Sequence, residues 1–81
     1  MTVTTVRFFA AARAAVGVDD VAVDAPTLDD ALSAVEAADA ERWTALQERC
    51  SYLVDGVTTR DRTTSLVGVG VVDVMPPFAG G

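Results

Sequence analysis

The sequence predicts an α+β fold, in which a mixed sheet pairs the first strand with the last. Its 81 residues are 51% hydrophobic and 22% charged, which is typical of one small folded domain. Apolar alternating segments lie near both ends, at 2–9 and 71–75, and an amphipathic helical segment follows Thr27. Parallel pairing of the two end strands requires a crossover, which this helix can provide by packing across one face of the sheet.

The first strand predicts which side chains face the core. Alternation over 2–9 places Val6 and Phe8 on one face of the strand. Phe9 then shares the opposite face with Arg7. We therefore expect Val6 and Phe8 to pack beneath the helix.

The remaining elements follow from capping and turn residues. Gly17 should end a short helix at 10–16, and Thr27 should cap the next helix. Asp55-Gly56 predicts a tight turn between two short strands. The further predicted elements are a strand at 18–24, helices at 28–38 and 41–48, and strands at 51–54, 57–59 and 71–75. With both end strands at the centre of the sheet, this order is the β-grasp layout.

Composition disfavours several classes of function. Twelve acidic residues against six arginines give a net charge of −6, which argues against binding to nucleic acid phosphates. The sequence contains no His and no Lys, so it offers no imidazole base or ligand and no lysine Schiff base. We expect no metal site. Cys50 is the single cysteine and is expected to be a buried thiol.

Targeting signals are also absent from the pattern. No apolar run approaches the ~20 residues that a membrane-spanning helix needs, so no membrane association is predicted. The first residues, Met1 to Thr5, lack the basic start and apolar core of a signal peptide. We therefore expect a cytoplasmic protein.

The C-terminal segment is the candidate functional site. It runs through Pro76-Pro77 and Phe78-Ala79 to Gly80-Gly81. Proline restricts its own backbone and that of its predecessor, so we expect a domain over 1–76 and an extended, flexible tail over 77–81. Glycine has no Cβ and can pass a channel that excludes larger residues. The alternative is that this C-terminal segment has no function, since chain termini are usually poorly ordered.

A terminal glycine carboxylate can take part in group transfer once ATP has converted it into an acyl-adenylate. A sulfur donor can then displace AMP and leave a thiocarboxylate, or an amine can displace it and form an isopeptide bond. Both reactions need a slender tail that reaches a buried site in another protein, and neither needs a catalytic side chain from this chain. Gly81 is therefore the predicted reactive residue.

The last strand predicts a docking surface beside this tail. Val72 and Val74 share one face, so Asp73 and Met75 share the other, which Asp73 marks as solvated. Phe9 falls on the same side by the count along the first strand. Exposed methionine and aromatic side chains near a functional tail predict a partner-binding patch formed by Phe9 and Met75. Alternatively, these two side chains complete the edge of the core.

Several segments together resemble one known family. They are 6–13 (VRFFAAAR), Gly17, Thr27-Leu28, 53–56 (LVDG) and 72–81 (VDVMPPFAGG). They resemble the small subunit of molybdopterin synthase, a sulfur carrier of the MoaD/ThiS ubiquitin-like β-grasp family. The Phe-Phe-Ala start and the Pro-Pro-x-x-Gly-Gly end are specific in combination, and the likeness spans nearly the whole chain.

The resemblance implies the sulfur-donating subunit of a sulfurtransferase, with no bound cofactor. An E1-like enzyme would consume ATP to adenylate Gly81, and a sulfurtransferase would supply the sulfur of a thiocarboxylate there. The large synthase subunit would receive the tail, in a heterotetramer of two small and two large subunits. Sulfur would pass to cyclic pyranopterin monophosphate and build the dithiolene of molybdopterin. The residues expected to direct the tail and fit its channel are Pro76, Pro77, Phe78, Ala79 and Gly80.

Two turns differ from the family pattern and leave sister branches open. Asp55 stands where the family often has Asn, and Val69-Gly70 stands where it usually has an acidic Gly-Asp pair. The thiamine-pathway carrier shares the Gly-Gly end, and archaeal protein-modifying relatives end in Gly-Gly after a Pro-Pro segment. The alternatives are therefore a thiamine-pathway sulfur carrier, a ubiquitin-like protein modifier, or an interaction domain whose tail is inert.

Overall fold

The structure is a computed structural model that describes residues 3–77, and within that range the chain forms five strands and three helices. The strands are β1 (Thr4–Phe8), β2 (Asp20–Val23), β3 (Ser51–Val54), β4 (Val57–Thr59) and β5 (Val71–Met75). The helices are α1 (Ala10–Val16), α2 (Leu28–Ala34) and α3 (Ala40–Gln47). β1 and β2 are shorter than the predicted segments 2–9 and 18–24. Among the described residues, no helix has the length and apolar character needed to cross a bilayer.

The strands form one mixed sheet in the order β2-β1-β5-β3-β4. β1 and β5 lie side by side in parallel at its centre, with Val6 opposite Val72 and Phe8 opposite Val74. The other neighbouring strands pair antiparallel. The predicted α+β β-grasp fold is confirmed, including the central position of both end strands.

One face of the sheet carries the hydrophobic core, beneath the helices. Val6 and Phe8 are buried there, as the alternation of β1 predicts. Phe8 meets Trp43 of α3 edge to face, with ring centroids 5.5 Å apart, a contact worth about 0.5–1.5 kcal/mol beyond burial. The indole N–H of Trp43 donates to the carbonyl of Leu32 in α2, at 3.4 Å. Trp43 therefore joins two helices to the sheet.

Three predicted element ends are confirmed. Gly17 closes α1 with a left-handed φ of +95°. Thr27 caps α2, and its hydroxyl oxygen accepts from the N–H of Asp30 at 3.3 Å. Asp55-Gly56 joins β3 to β4 with φ values of +46° and +85°, both positive, as a two-residue type I′ turn requires.

The end of α2 is a correction, because the helix stops at Ala34 and not near residue 38. Val35 is extended, with φ −70° and ψ 125°, and the chain then turns toward α1. The N–H groups of Ala38 and Asp39 donate to carbonyls of α1 at 3.0 and 2.9 Å. Asp39 also caps α3, since its Oδ1 accepts from the N–H of Arg42 at 3.1 Å. These hydrogen bonds outweigh the helix propensity of 35–38.

Candidate docking face and tail exit

The face of the sheet opposite the helices, called the open face below, consists of alternate residues from the strands. Its members are Asp20 and Ala22 of β2, Thr5 and Arg7 of β1, Val71, Asp73 and Met75 of β5, Ser51 and Leu53 of β3, and Thr58 of β4. Apart from Asp73, these residues are half-buried or exposed. A sheet with one packed face can present the other to solvent or to a partner.

Asp73, at the centre of the open face, is buried, so the prediction of a solvated position is wrong. Arg7 lies opposite it on β1 and holds its carboxylate at two points. The distances are 2.5 Å from Nε to Oδ1 and 2.9 Å from Nη2 to Oδ2. The hydrogen bonds and the charge of Asp73 raise the pKa of Arg7 above its usual value. The middle of the open face therefore carries a compensated ion pair.

Phe9 continues the open face beyond the end of β1. Its backbone is extended, with φ −124° and ψ 150°, and Ala10, with φ +50°, then turns the chain into α1. The Phe9 side chain is 38% exposed, and the guanidinium carbon of Arg7 lies 5.9 Å from its ring centroid. Met75, the last residue of β5, is half-buried. Because β1 and β5 run parallel, both apolar groups lie at the same end of the sheet.

Arg60 also lies at this end of the open face, and it was not among the predicted site residues. It follows β4, and its Nε lies 3.4 Å from Oγ of Ser51, the residue opposite Met75. Its Nη2 donates to the carbonyl of Arg49 at 3.3 Å. Alternation along β4 was the available signal, since it puts Thr58 and Arg60 on the same side of the chain.

β5 ends at Met75 beside these residues, and the described chain continues to Pro77. Pro76 is buried and Pro77 is exposed, so the described chain reaches the surface at Pro77. The predicted tail residues Phe78, Ala79, Gly80 and Gly81 lie outside the described residues. Their assigned roles, in the channel and as the reactive terminus, stay predictions.

The Asp55 side chain binds backbone N–H groups at the start of β5, a role that was not predicted. Its carboxylate accepts from the N–H of Gly70 at 3.1 Å and from the N–H of Val71 at 3.0 Å. Its own backbone N–H donates to the carbonyl of Val71 at 2.9 Å. The sequence indicates the turn at Asp55, but its side-chain partners lie 15 and 16 residues away.

Two further buried ionisable side chains, Cys50 and Tyr52, belong to the hydrophobic core. Cys50 is 2% exposed, as predicted, and burial raises the pKa of its thiol. Burial raises the pKa of Tyr52 to about 12, and the Tyr52 hydroxyl donates to the carbonyl of Gln47 at the end of α3 (2.8 Å). Within residues 3–77, no three Cys, Asp or Glu side chains gather closely enough to hold a metal ion.

Comparison with known families decides the class of the protein. A family model described as the ThiS family matches residues 6–81, which is nearly the whole chain. The chain belongs to the ThiS family. ThiS-family proteins are ubiquitin-like sulfur carriers that work with E1-like enzymes and partner subunits. No match was found among curated proteins. The family match covers β1 from Val6 through β5 and the tail, and it does not separate the molybdopterin branch from the thiamine branch.

Proposed function

We propose that this ThiS-family chain is the sulfur-carrying small subunit of molybdopterin synthase. The observation that carries the proposal is the run Pro76-Pro77-Phe78-Ala79-Gly80-Gly81, which follows β5 in a chain of this family. The thiamine-pathway carrier usually lacks a Pro-Pro-Phe run. The Phe-Phe-Ala segment that starts at Phe8, the last residue of β1, also supports the molybdopterin branch.

The proposed chemistry takes place on the carboxylate of Gly81. In an E1-like enzyme, this carboxylate attacks the α-phosphate of ATP, which forms an acyl-adenylate and releases pyrophosphate. Sulfur supplied by a sulfurtransferase then forms a bond to the carbonyl carbon as the bond to AMP breaks. The resulting thiocarboxylate delivers its sulfur to cyclic pyranopterin monophosphate in the large synthase subunit. Two such deliveries build the dithiolene of molybdopterin.

The open face supplies the docking surface in this proposal. Phe9 and Met75 lie at the end of the sheet where Pro76 leaves β5, so a protein that receives the tail meets them first. Methionine and aromatic side chains are enriched in protein interfaces, and their burial contributes roughly 25 cal/mol per Å². The proposed assembly is a heterotetramer with two small and two large subunits. The tail residues Pro77, Phe78, Ala79 and Gly80 would span the channel.

A thiamine-pathway sulfur carrier is the second candidate function. The family match fits this function equally well, because it does not separate the two branches. This carrier would undergo the same adenylation and sulfuration at Gly81, but it would hand its sulfur to a different acceptor. The two functions therefore differ in the partner and the acceptor, and not in the chemistry of the terminus.

Intact mass analysis and a transfer assay test the proposal. The chain, incubated with an E1-like enzyme, ATP and a sulfur source, should gain the mass difference between sulfur and oxygen. Mixed with the large synthase subunit, it should then convert cyclic pyranopterin monophosphate into molybdopterin.

A chain that lacks Gly81 is the matched control. It should unfold at the same temperature as the full chain and should gain no sulfur. Adenylation of the shortened chain would reject Gly81 as the reactive residue. Sulfuration of the full chain without transfer to the pyranopterin would favour the thiamine branch, and conjugates with other proteins would favour a modifier.

A further inference from the structure

We propose that Arg60 binds a carboxylate of the partner protein and so selects the partner that docks on the open face. The inference rests on the proposed function, because it takes the large synthase subunit as that partner. It adds the chemistry that the partner must present, which is an acidic side chain at the edge of an apolar contact surface.

Arg60 lies near the end of β5, where the described chain leads into Pro76 and Pro77. Met75 at the end of β5 lies opposite Ser51 of β3. The Oγ of Ser51 lies 3.4 Å from Nε of Arg60, so the three residues form a row across the end of the open face. A protein that receives the chain beyond Met75 must therefore approach the Arg60 guanidinium.

The described neighbours leave the charge of Arg60 unbalanced. Its guanidinium contacts a hydroxyl oxygen and the carbonyl oxygen of Arg49, both of which are neutral. Asp61, the next residue, directs its carboxylate to Thr63 and accepts from the Thr63 N–H at 2.9 Å. Within residues 3–77, no acidic side chain forms an ion pair with Arg60.

Arg7 lies on the same face but differs from Arg60, because it is paired with an acidic side chain. Its Nε and Nη2 are both engaged by Asp73, and Asp20 lies opposite it on β2. The charge of Arg7 is therefore compensated within the chain. Arg60 uses its Nε and Nη2 on neutral oxygens, which leaves its Nη1 donors for an incoming acceptor. A planar guanidinium matches the geometry of a carboxylate.

The apolar residues near Arg60 make its charge important for the choice of partner. A partner that covers Met75 and Leu53 also removes water from Arg60. A carboxylate opposite Arg60 then forms a charge-assisted hydrogen bond, whereas an apolar or cationic group leaves the guanidinium desolvated and unpaired. The net charge of −6 repels an acidic partner at long range, so the contact should act mainly by slowing dissociation.

Binding of the full chain to the large synthase subunit, measured by calorimetry and by association and dissociation kinetics, tests the inference. Arg60→Glu should weaken binding at least about tenfold, mostly through faster dissociation. Arg60→Gln should weaken it less, and Arg60→Lys should restore part of the loss. Arg42→Glu is the matched control, because it makes the same charge change at an exposed position of α3 and should bind within about twofold of the wild type.

The outcomes distinguish the inference from the proposed function. Wild-type affinity of Arg60→Glu, or an equal loss for Arg42→Glu, overturns the role of Arg60 and leaves the proposed function intact. If Arg60→Glu fails to fold in thermal unfolding, the comparison of Arg60→Gln with Arg60→Lys decides the question, and equal affinities overturn the inference. A wild-type chain that binds neither the large subunit nor the E1-like enzyme refutes the proposed function, and the inference falls with it.

Discussion

Arg7 and Asp73 show how the central strands of a sheet can hold a carboxylate on an accessible face. The two residues lie opposite each other on parallel strands, so the backbone pairing itself sets their spacing. Two hydrogen bonds from Arg7 compensate Asp73 for its removal from water. The Arg7 side chain stays 49% exposed, which keeps the pair partly solvated. The pair thus favours one register of β1 against β5.

Burial of Tyr52 makes the stability of the fold depend on pH in the alkaline range. Its pKa is about 12 in the folded chain and about 10 when exposed, because burial disfavours the phenolate. Between pH 10 and pH 12 the unfolded chain gives up this proton more readily, so the free energy of unfolding falls as the pH rises. The full effect is at most about 2–3 kcal/mol. Cys50 acts in the same direction, since burial also raises the pKa of its thiol.

Urea unfolding at pH 8 and at pH 11.5, followed by the fluorescence of Trp43, measures this loss of stability. Tyr52→Phe is the control. It lacks the hydrogen bond to Gln47 and should be less stable at pH 8, but it should lose less stability between the two pH values. Equal losses in the wild type and the variant would contradict the assignment to Tyr52.

The turn between β3 and β4 connects three strands, because its Asp55 also binds the start of β5. Asp55→Ala removes the acceptor for the N–H groups of Gly70 and Val71 and puts alanine at a φ of +46°. We expect this change to lower the free energy of unfolding by about 1–3 kcal/mol. Asp55→Asn keeps an acceptor oxygen and tolerates a left-handed backbone, so it should cost less. Chemical denaturation of both variants compares them, and equal losses would show that the side-chain contacts of Asp55 contribute nothing.

Several elements could be predicted from the sequence because their signals are local. Gly17, Thr27 and Asp55-Gly56 act on backbone groups within a few residues, so each marks its helix end or turn directly. Apolar alternation likewise identifies β1 and β5, and a crossover helix between them allows their parallel pairing.

Other features could not be predicted because they depend on residues far apart in the chain. The carboxylate of buried Asp73 is bound by Arg7, which lies 66 residues away, and no local pattern encodes that pair. The end of α2 is set by hydrogen bonds between 38–39 and α1, which appear only once the helices pack. Arg60 joins the candidate site through its contact with Ser51 on the neighbouring strand. The shared face of Phe9, Arg7, Asp73 and Met75 was therefore predictable, whereas the burial of Asp73 and the position of Arg60 were not.

At the scale of the whole molecule, the sheet brings the candidate site together at one end. Because β1 and β5 are parallel neighbours, Phe9, Met75 and Pro76 all follow or end strands that run in the same direction. Arg60 reaches this end through the antiparallel pairing of β3 with both β4 and β5. In the proposed function, one partner protein would therefore cover this surface and receive the tail.

Gly80→Val tests the proposed use of the tail by the whole assembly. A β-branched residue restricts the backbone and adds bulk, so it should obstruct a channel sized for glycine. We expect sulfur transfer to slow at least about tenfold, or ~1.4 kcal/mol in the barrier, with thermal unfolding unchanged. Single-turnover transfer to the pyranopterin, from a chemically prepared thiocarboxylate and the large subunit, isolates this step from adenylation. Gly80→Ala adds only a methyl group and should retain more activity. If Gly80→Val transfers sulfur at the wild-type rate, the channel is not selective for glycine, although the chemistry proposed at Gly81 would stand.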